Sequence, residues 1–190
     1  MKIIFFFLLL VTTTQVTAQK NCDYSVNVKD SIGTIKSTKQ YLVYERIFGS
    51  TSNSIYLNLT SSDETPYLTV LFINKSPDFI KANCFDAKSK LYFQLENGKI
   101  ITLLHENAEK CGNYVKSEVD QKNVRVLEGN FFFMKDTMEE LKKSPVSVLR
   151  IKLGTDTIDY VFKEELVSEM DNKMTRPNGY FIDYLHCIQN

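Results

Sequence analysis

The reactive side chains of this sequence are few: four cysteines, Cys22, Cys84, Cys111 and Cys187, and two histidines, His105 and His186. No two cysteines stand at the short C-x-x-C-type spacing of structural zinc ligands, which argues against a metal site. An even count in an exported chain favours disulfides, with four buried free thiols as the alternative, and four cysteines allow three connectivities. A general base needs an orienting partner and a nucleophile within hydrogen-bond reach. His105 precedes Glu106 at the end of a predicted strand, and His186 lies beside Asp183 in a predicted terminal helix, yet nothing places a nucleophile against either. A surface or capping role is expected for both. No serine sits in a Gly-flanked elbow and no Gly-rich phosphate loop is present, so no catalytic, cofactor-binding or metal residue is assigned.

Other candidate groups are better explained without chemistry. The carboxylate pairs Asp63-Glu64, Glu139-Glu140 and Glu164-Glu165 are adjacent in sequence, and adjacent side chains on a strand or helix diverge. Glu164, Glu165, Glu169 and Asp171 lack the alternating Asp/Asn-and-Gly pattern of a calcium loop. Tyr41, Tyr44, Phe48 and Tyr56 have the chemistry to line a ligand groove, although core packing accounts for them more simply.

The compartment is the firmest expectation. Lys2 is followed by nine apolar residues, Ile3 to Val11, and then by polar residues ending in Val16-Thr17-Ala18. That order is read by a signal peptidase, and the apolar run is too short for the ~20 residues of a membrane-spanning helix. Residues 1–18 are therefore expected to be a cleavable signal and residues 19–190 one globular domain. Gln19-Lys20-Asn21 before Cys22 is not a lipid-attachment box, so no membrane span or anchor is expected after cleavage. Removing Lys2 from 23 basic residues leaves 22 against 23 acidic ones, a formal charge of −1. Such a balance gives no long-range field for nucleic acid or anionic lipid.

One disulfide pairing follows from a hairpin. Lys90 to Leu95 and Ile100 to His105 alternate around Glu96-Asn97-Gly98-Lys99, and Asn-Gly predicts a type I′ turn. With that tip, paired positions sum to 195: Leu95 faces Ile100, Phe93 faces Thr102, and Leu91 faces Leu104. The same sum places Cys84 opposite Cys111, leaving Cys22 and Cys187 to pair by elimination.

Around this hairpin, strands are predicted over Tyr24–Val28, Gln40–Phe48, Ser54–Leu59 and Tyr67–Ile73. A helical turn is expected at Asp78–Ala82, a short strand within Gly112–Asp120, and a strand over Asn123–Met134 whose Phe131-Phe132-Phe133 is buried on both faces. Asp136-Thr137-Met138-Glu139 has the form of a capping box opening a helix over 136–143, stopped by Pro145. A second hairpin turns at Gly154-Thr155 with pairs summing to 309, putting Leu149, Ile151 and Leu153 on one face with Ile158, Tyr160 and Phe162. Glu164 to Arg176 reads as a loop or loose helix. Tyr180, Phe181, Tyr184, Leu185 and Ile188 space out a helix over 179–188. The fold class expected is α+β, mainly antiparallel sheet, curved or two-layered, with two short helices; a β-sandwich is the alternative.

The Ile/Phe-rich opening, the segment Leu141 to Ile151 and the ending Tyr180 to Ile188 resemble small exported proteins of Bacteroidetes bacteria. The resemblance covers about a third of the chain and implies no activity. Asp30-Ser31-Ile32, Asp136-Thr137-Met138 and Asp156-Thr157-Ile158 are similar to the O-glycosylation triplets of such bacteria, and Asn58-Leu59-Thr60 and Asn74-Lys75-Ser76 match the N-glycan acceptor pattern. The function expected is that of a non-enzymatic binding or interaction module, secreted or periplasmic, recognising a protein or small-molecule ligand. The alternatives are a small secreted hydrolase with a site assembled from distant residues, and a structural subunit of an envelope complex.

Overall fold

The computed structural model describes residues 20–154 and 156–189; the expected signal segment lies outside them. The fold is a mainly antiparallel sheet with two short helices. Tyr24–Lys29 (β1), Thr34–Thr38 (β2), Tyr41–Phe48 (β3), Thr51–Ser62 (β4) and Thr65–Ser76 (β5) run back and forth in turn. Cys84–Phe85 (β6), Lys90–Leu95 (β7), Ile100–His105 (β8) and Lys110–Cys111 (β9) form a nested hairpin. Asn113–Lys116 (β10), Asn123–Phe133 (β11), the helix Thr137–Leu141 (α1), Val146–Leu153 (β12) and Asp156–Val161 (β13) follow. The chain closes with Leu166–Val167 (β14), Met174–Thr175 (β15) and the helix Tyr180–Tyr184 (α2), which a 3-10 turn precedes and another extends to Ile188.

Eleven strands share one sheet in the order β1-β2-β4-β5-β11-β8-β7-β12-β13, with β3 added to β4 and β10 to β11. The long strands β4 and β11 each hold two neighbours on one edge: β4 pairs with β3 through Thr51–Leu57 and with β2 through Thr60–Ser62. The sheet curls so that its far end returns over its beginning. Tyr160 of β13 meets Tyr44 of β3 and Phe72 of β5, at ring separations of 4.9 and 6.2 Å. One continuous curved sheet replaces the sandwich alternative.

Alternation explains which face goes inward. Ile55, Leu57 and Leu59 of β4, Leu68 and Val70 of β5, Leu91 and Phe93 of β7 and Leu149 of β12 are fully enclosed, as period-2 patterning on a half-wetted sheet requires. The terminal helix plugs the curl: Phe181 packs edge-on against Phe93 at 4.9 Å, and Tyr180 stacks with Tyr41 at 5.1 Å. Among the described residues no helix is long and apolar enough to cross a membrane.

The structure joins Cys84 to Cys111 and Cys22 to Cys187, with Cα separations of 4.0 and 5.6 Å. The hairpin that carries the first bridge differs from its expected register. Leu91 faces Leu103 and Phe93 faces Ile101, so the pairs sum to 194. Gly98 donates its N–H to Leu95 O and Leu95 donates to Lys99 O, with Gly98 alone at positive φ, +85°. This is a type I turn closed by a glycine bulge, one residue longer than the type I′ turn expected. The slip turns Ile101, Leu103 and His105 inward and leaves Ile100 and Leu104 outside. Cys84 still meets Cys111 because the legs between hairpin and bridge, Asp86 to Ser89 and Glu106 to Glu109, absorb the missing residue irregularly.

The second hairpin has the expected register, Leu149 opposite Tyr160 and Ile151 opposite Ile158. Its outer face carries Arg150, which grips Asp159 with two hydrogen bonds of 2.7 Å. Several other expectations change. Asp78–Ala82 forms no helical turn. Asp136 takes a left-handed conformation and caps nothing with its side chain; the Thr137 hydroxyl donates to Met134 O, while Glu139 and Glu140 are drawn to Lys142, Lys143 and Lys99. Of the phenylalanine run only Phe131 is buried; Phe132 points out, because β11 is wet on its second face. Glu164–Arg176 is neither loop nor helix but carries the small hairpin β14–β15. Strand β2 has no counterpart in the sequence reading; its polar residues hide it, and pairing with β1 and β4 supplies the stability that propensity lacks.

Candidate functional site

The wet face of the sheet holds the largest concavity described, a groove of about 710 Å³. Its floor is made of side chains from non-core positions of consecutive strands. Asn58, Thr69 and Asn130 lie opposite one another on β4, β5 and β11, and Thr60 and Tyr67 form the next row. Ser37 of β2 completes that row by pairing with Thr60. Ser25 and Val26 of β1 stand at the margin, with Lys39 and Gln40 beyond them.

These groups are tied together across the strands. The hydroxyls of Ser37 and Thr60 are 2.9 Å apart, and the Asn58 amide donates to Ser37 Oγ at 3.0 Å and to Thr60 Oγ1 at 3.4 Å. Thr69 donates to Asn130 Oδ1 at 2.9 Å, and Asn130 leans toward the Glu106 carboxylate, which Lys110 also holds. Hydrogen bonds from Lys110 and Asn130 keep Glu106 below the usual glutamate range. Tyr67 and Phe132 stack at 6.0 Å at one end, Phe132 being 38% exposed. Lys39 is already paired with Asp23 at 2.9 Å. The floor therefore sets the half-buried carboxamides of Asn58 and Asn130 and the Tyr67 ring beside the largely buried hydroxyls of Ser37, Thr60 and Thr69, all held by rigid strands.

A second cleft of about 350 Å³ lies between β3, β4 and the β14–β15 hairpin. Of the four aromatics singled out in the sequence, Tyr41 and Tyr56 line it; Tyr44 is half-buried against the core, and the exposed Phe48 lines a separate cleft of about 370 Å³ with Arg46 and Ile80. The groups here are largely spent on holding the hairpin. Glu45 accepts from the Ser168 hydroxyl at 3.1 Å and the Glu169 N–H at 2.7 Å, and Tyr41 Oη accepts from the Arg176 N–H at 2.7 Å. Burial, then Glu45 and Asp171, raise the Tyr56 phenol above its ordinary value. A third space, only about 30 Å³ and so the size of one water, is bounded by Arg125. That guanidinium donates to Ile80 O and Gly112 O and lies over Tyr114, so it serves to staple loop and strand.

The two histidines are not where the sequence suggested. His105 is buried, its ring stacked between Phe85 and Phe131 at 5.2 and 5.0 Å, because the hairpin slip turned it inward. Nδ1 sits 3.1 Å from Asp86 O, while Nε2 is enclosed without a partner. Desolvation drives its pKa down, against the raising effects of Asp86 and Glu106. His186 rests its Nε2 3.2 Å from Cys22 Sγ, beside the disulfide. Asp183, expected to be its neighbour, instead forms ion pairs with Lys20 and Arg176, each at 3.3 Å. Neither histidine lines a cleft described above.

Two groups of metal-capable atoms exist among the described residues, Cys22 with His186 and Cys187, and Cys84 with Glu109 and Cys111. In each, the two sulfurs are joined in a disulfide, so neither offers the thiolate that a metal needs. Glu164, Glu165, Glu169 and Asp171 are exposed, with Glu169 and Asp171 bound into the β14–β15 turn through Glu45 and Lys173. Of the modification motifs, Ser31 and Thr157 are exposed, whereas the Thr137 hydroxyl is engaged with Met134 O and the Asn58 amide is engaged in the groove.

The groove residues escaped the sequence reading, apart from Asn58 as a glycan acceptor. Their signal was weak but visible: polar Asn58 and Thr60 alternate with Leu57 and Leu59, marking a polar face opposite the core. What the sequence withholds is that Thr69 and Asn130, separated by 61 positions, meet on it. Comparisons with protein-family models, curated proteins and solved structures find no match for this chain.

Proposed function

We propose that this chain is an exported, non-enzymatic binding module whose ligand lies in the groove over β2, β4, β5 and β11. The observation that carries the reading is the hydrogen-bonded floor of Ser37, Asn58, Thr60, Thr69 and Asn130, which stands outside the core yet is ordered by cross-strand contacts. Recognition groups preset on strands lose little freedom on binding. The cleft under β14–β15 is a weaker candidate, because its polar groups already serve the hairpin. The histidines a small hydrolase would draw on are committed to a phenylalanine cage and to a disulfide.

Export is supported by the charged-apolar-small order of residues 1–18 and by two bridges of the kind that persist in oxidising compartments. The resemblance to exported Bacteroidetes proteins points the same way, to a secreted or periplasmic location. Fragment screening of the oxidised protein by amide chemical-shift mapping tests the site: hits cluster on Ser37, Asn58, Thr69 and Asn130. Clustering under the β14–β15 hairpin instead refutes it. Recovery from cytoplasm with residue 1 attached and all four thiols open to alkylation would end the case for export.

A further inference from the structure

The composition of the groove floor selects a ligand class, and this step rests on the groove being the binding site. We infer that the groove accepts a neutral saccharide chain. Three kinds of group decide it. Asn58 and Asn130 offer half-buried carboxamides, backed by the largely buried hydroxyls of Ser37, Thr60 and Thr69; these groups both donate and accept, as the hydroxyls of a sugar do. The Asn58 amide nitrogen is anchored on Ser37 Oγ and Thr60 Oγ1, which fixes the plane of its carboxamide in the groove. The ring of Tyr67, which lines the groove with Phe132 behind it at 6.0 Å, supplies an apolar surface for the C–H face of a pyranose.

The competing classes fit less well. An anionic ligand would need an uncompensated positive charge, but the single lysine of the lining is tied to Asp23. An extended peptide gains its affinity from main-chain pairing at a strand edge. Here β4 is paired to β5 along its length and to β3 or β2 on its other edge, and in the gap between those two the Leu59 N–H is already taken by Thr38 Oγ1, so the β4 floor offers mainly side chains. The spacing of strands, about 4.8 Å, is close to the length of one hexose unit. Four strands therefore present a floor suited to a di- or trisaccharide laid across them.

The experiment titrates the oxidised protein with cello-, malto-, xylo- and chitotriose, and in parallel with a mixture of neutral hexapeptides, following backbone amides by NMR. At least one trisaccharide is expected to shift Ser37, Asn58, Thr69 and Asn130 with a Kd near or below about 1 mM. Asn130→Ala and Asn58→Ala should each weaken it about tenfold, the loss of one or two hydrogen bonds. Thr69→Val, which keeps shape and removes the hydroxyl, gives the same direction in a spectrum otherwise unchanged. Silence from every trisaccharide overturns the inference. Shifts of the same amides by the peptides alone overturn it too, while leaving the groove as the site. Sugar-induced shifts confined to Tyr56, Met170 and Met174 instead refute the groove itself.

Discussion

At the scale of single residues, His105 shows how packing sets charge. Its ring is enclosed by Phe85 and Phe131, and the protonated form has one backbone carbonyl, that of Asp86, for two N–H groups. The folded protein therefore holds the imidazole neutral below the unfolded value of about 6.5. The sign follows from proton counting: just below that value the unfolded chain binds a proton that the folded chain refuses, so acid favours unfolding. Stability should be level above about pH 6.5 and fall as pH drops from there toward the depressed folded value. His105→Phe, which preserves the stack, should flatten that slope in urea titrations across the window; Asp86 O gives up the imidazole but keeps the Ser89 N–H. Carboxylates act at lower pH. Glu140, held at about 2 by hydrogen bonds from Lys143 and Lys99, adds a loss that begins only below the ordinary glutamate value of 4.5.

At the scale of elements, the β7–β8 hairpin shows what patterning can and cannot decide. Lys90–Leu95 and Ile100–His105 are legible as strands because they alternate, and the turn is legible from Asn97-Gly98. The register is not, since Ile100, Thr102 and Leu104 are nearly as apolar a set as Ile101, Leu103 and His105. Tertiary contact breaks the tie: Ile101 and Leu103 reach the core, and His105 reaches Phe131 of β11. In the β12–β13 hairpin the two faces differ sharply, Leu149 and Ile151 against Arg150 and Lys152, and there the register is readable. The groove was illegible for a related reason, being assembled from strands whose pairing partners are far apart in sequence. Close packing behind β11 gives a test. A Cβ at Gly129 would stand 2.6 Å from Phe85 Cδ2 and 3.1 Å from His105 Nε2. Gly129→Ala should cost about 1–3 kcal/mol by overpacking, measured by chemical denaturation. Gly129→Ala combined with Phe85→Leu should lose less than the two single changes added together.

At the scale of the whole molecule, the two bridges act on different lengths of chain. Cys22–Cys187 spans 165 positions and Cys84–Cys111 spans 27. On a chain-entropy argument, removing them costs roughly 5 and 3.5 kcal/mol respectively. Paired serine substitutions should thus order the same way in denaturant midpoint, and a reversal would show that native-state strain or residual unfolded structure dominates. The longer bridge has a local role as well. It fixes β1, whose one sheet neighbour among the described residues is β2, at the foot of the terminal helix, where Tyr24 Oη also donates to Cys187 O at 2.8 Å. The bridges are nested, first cysteine to fourth and second to third. Synthesis from the amino end makes Cys22 available long before its mate, with two wrong partners arriving in between. Rapid closure of the inner loop, or the attention of an isomerase, must protect the early thiol, so the oxidised state doubles as a certificate that the last residues have been delivered.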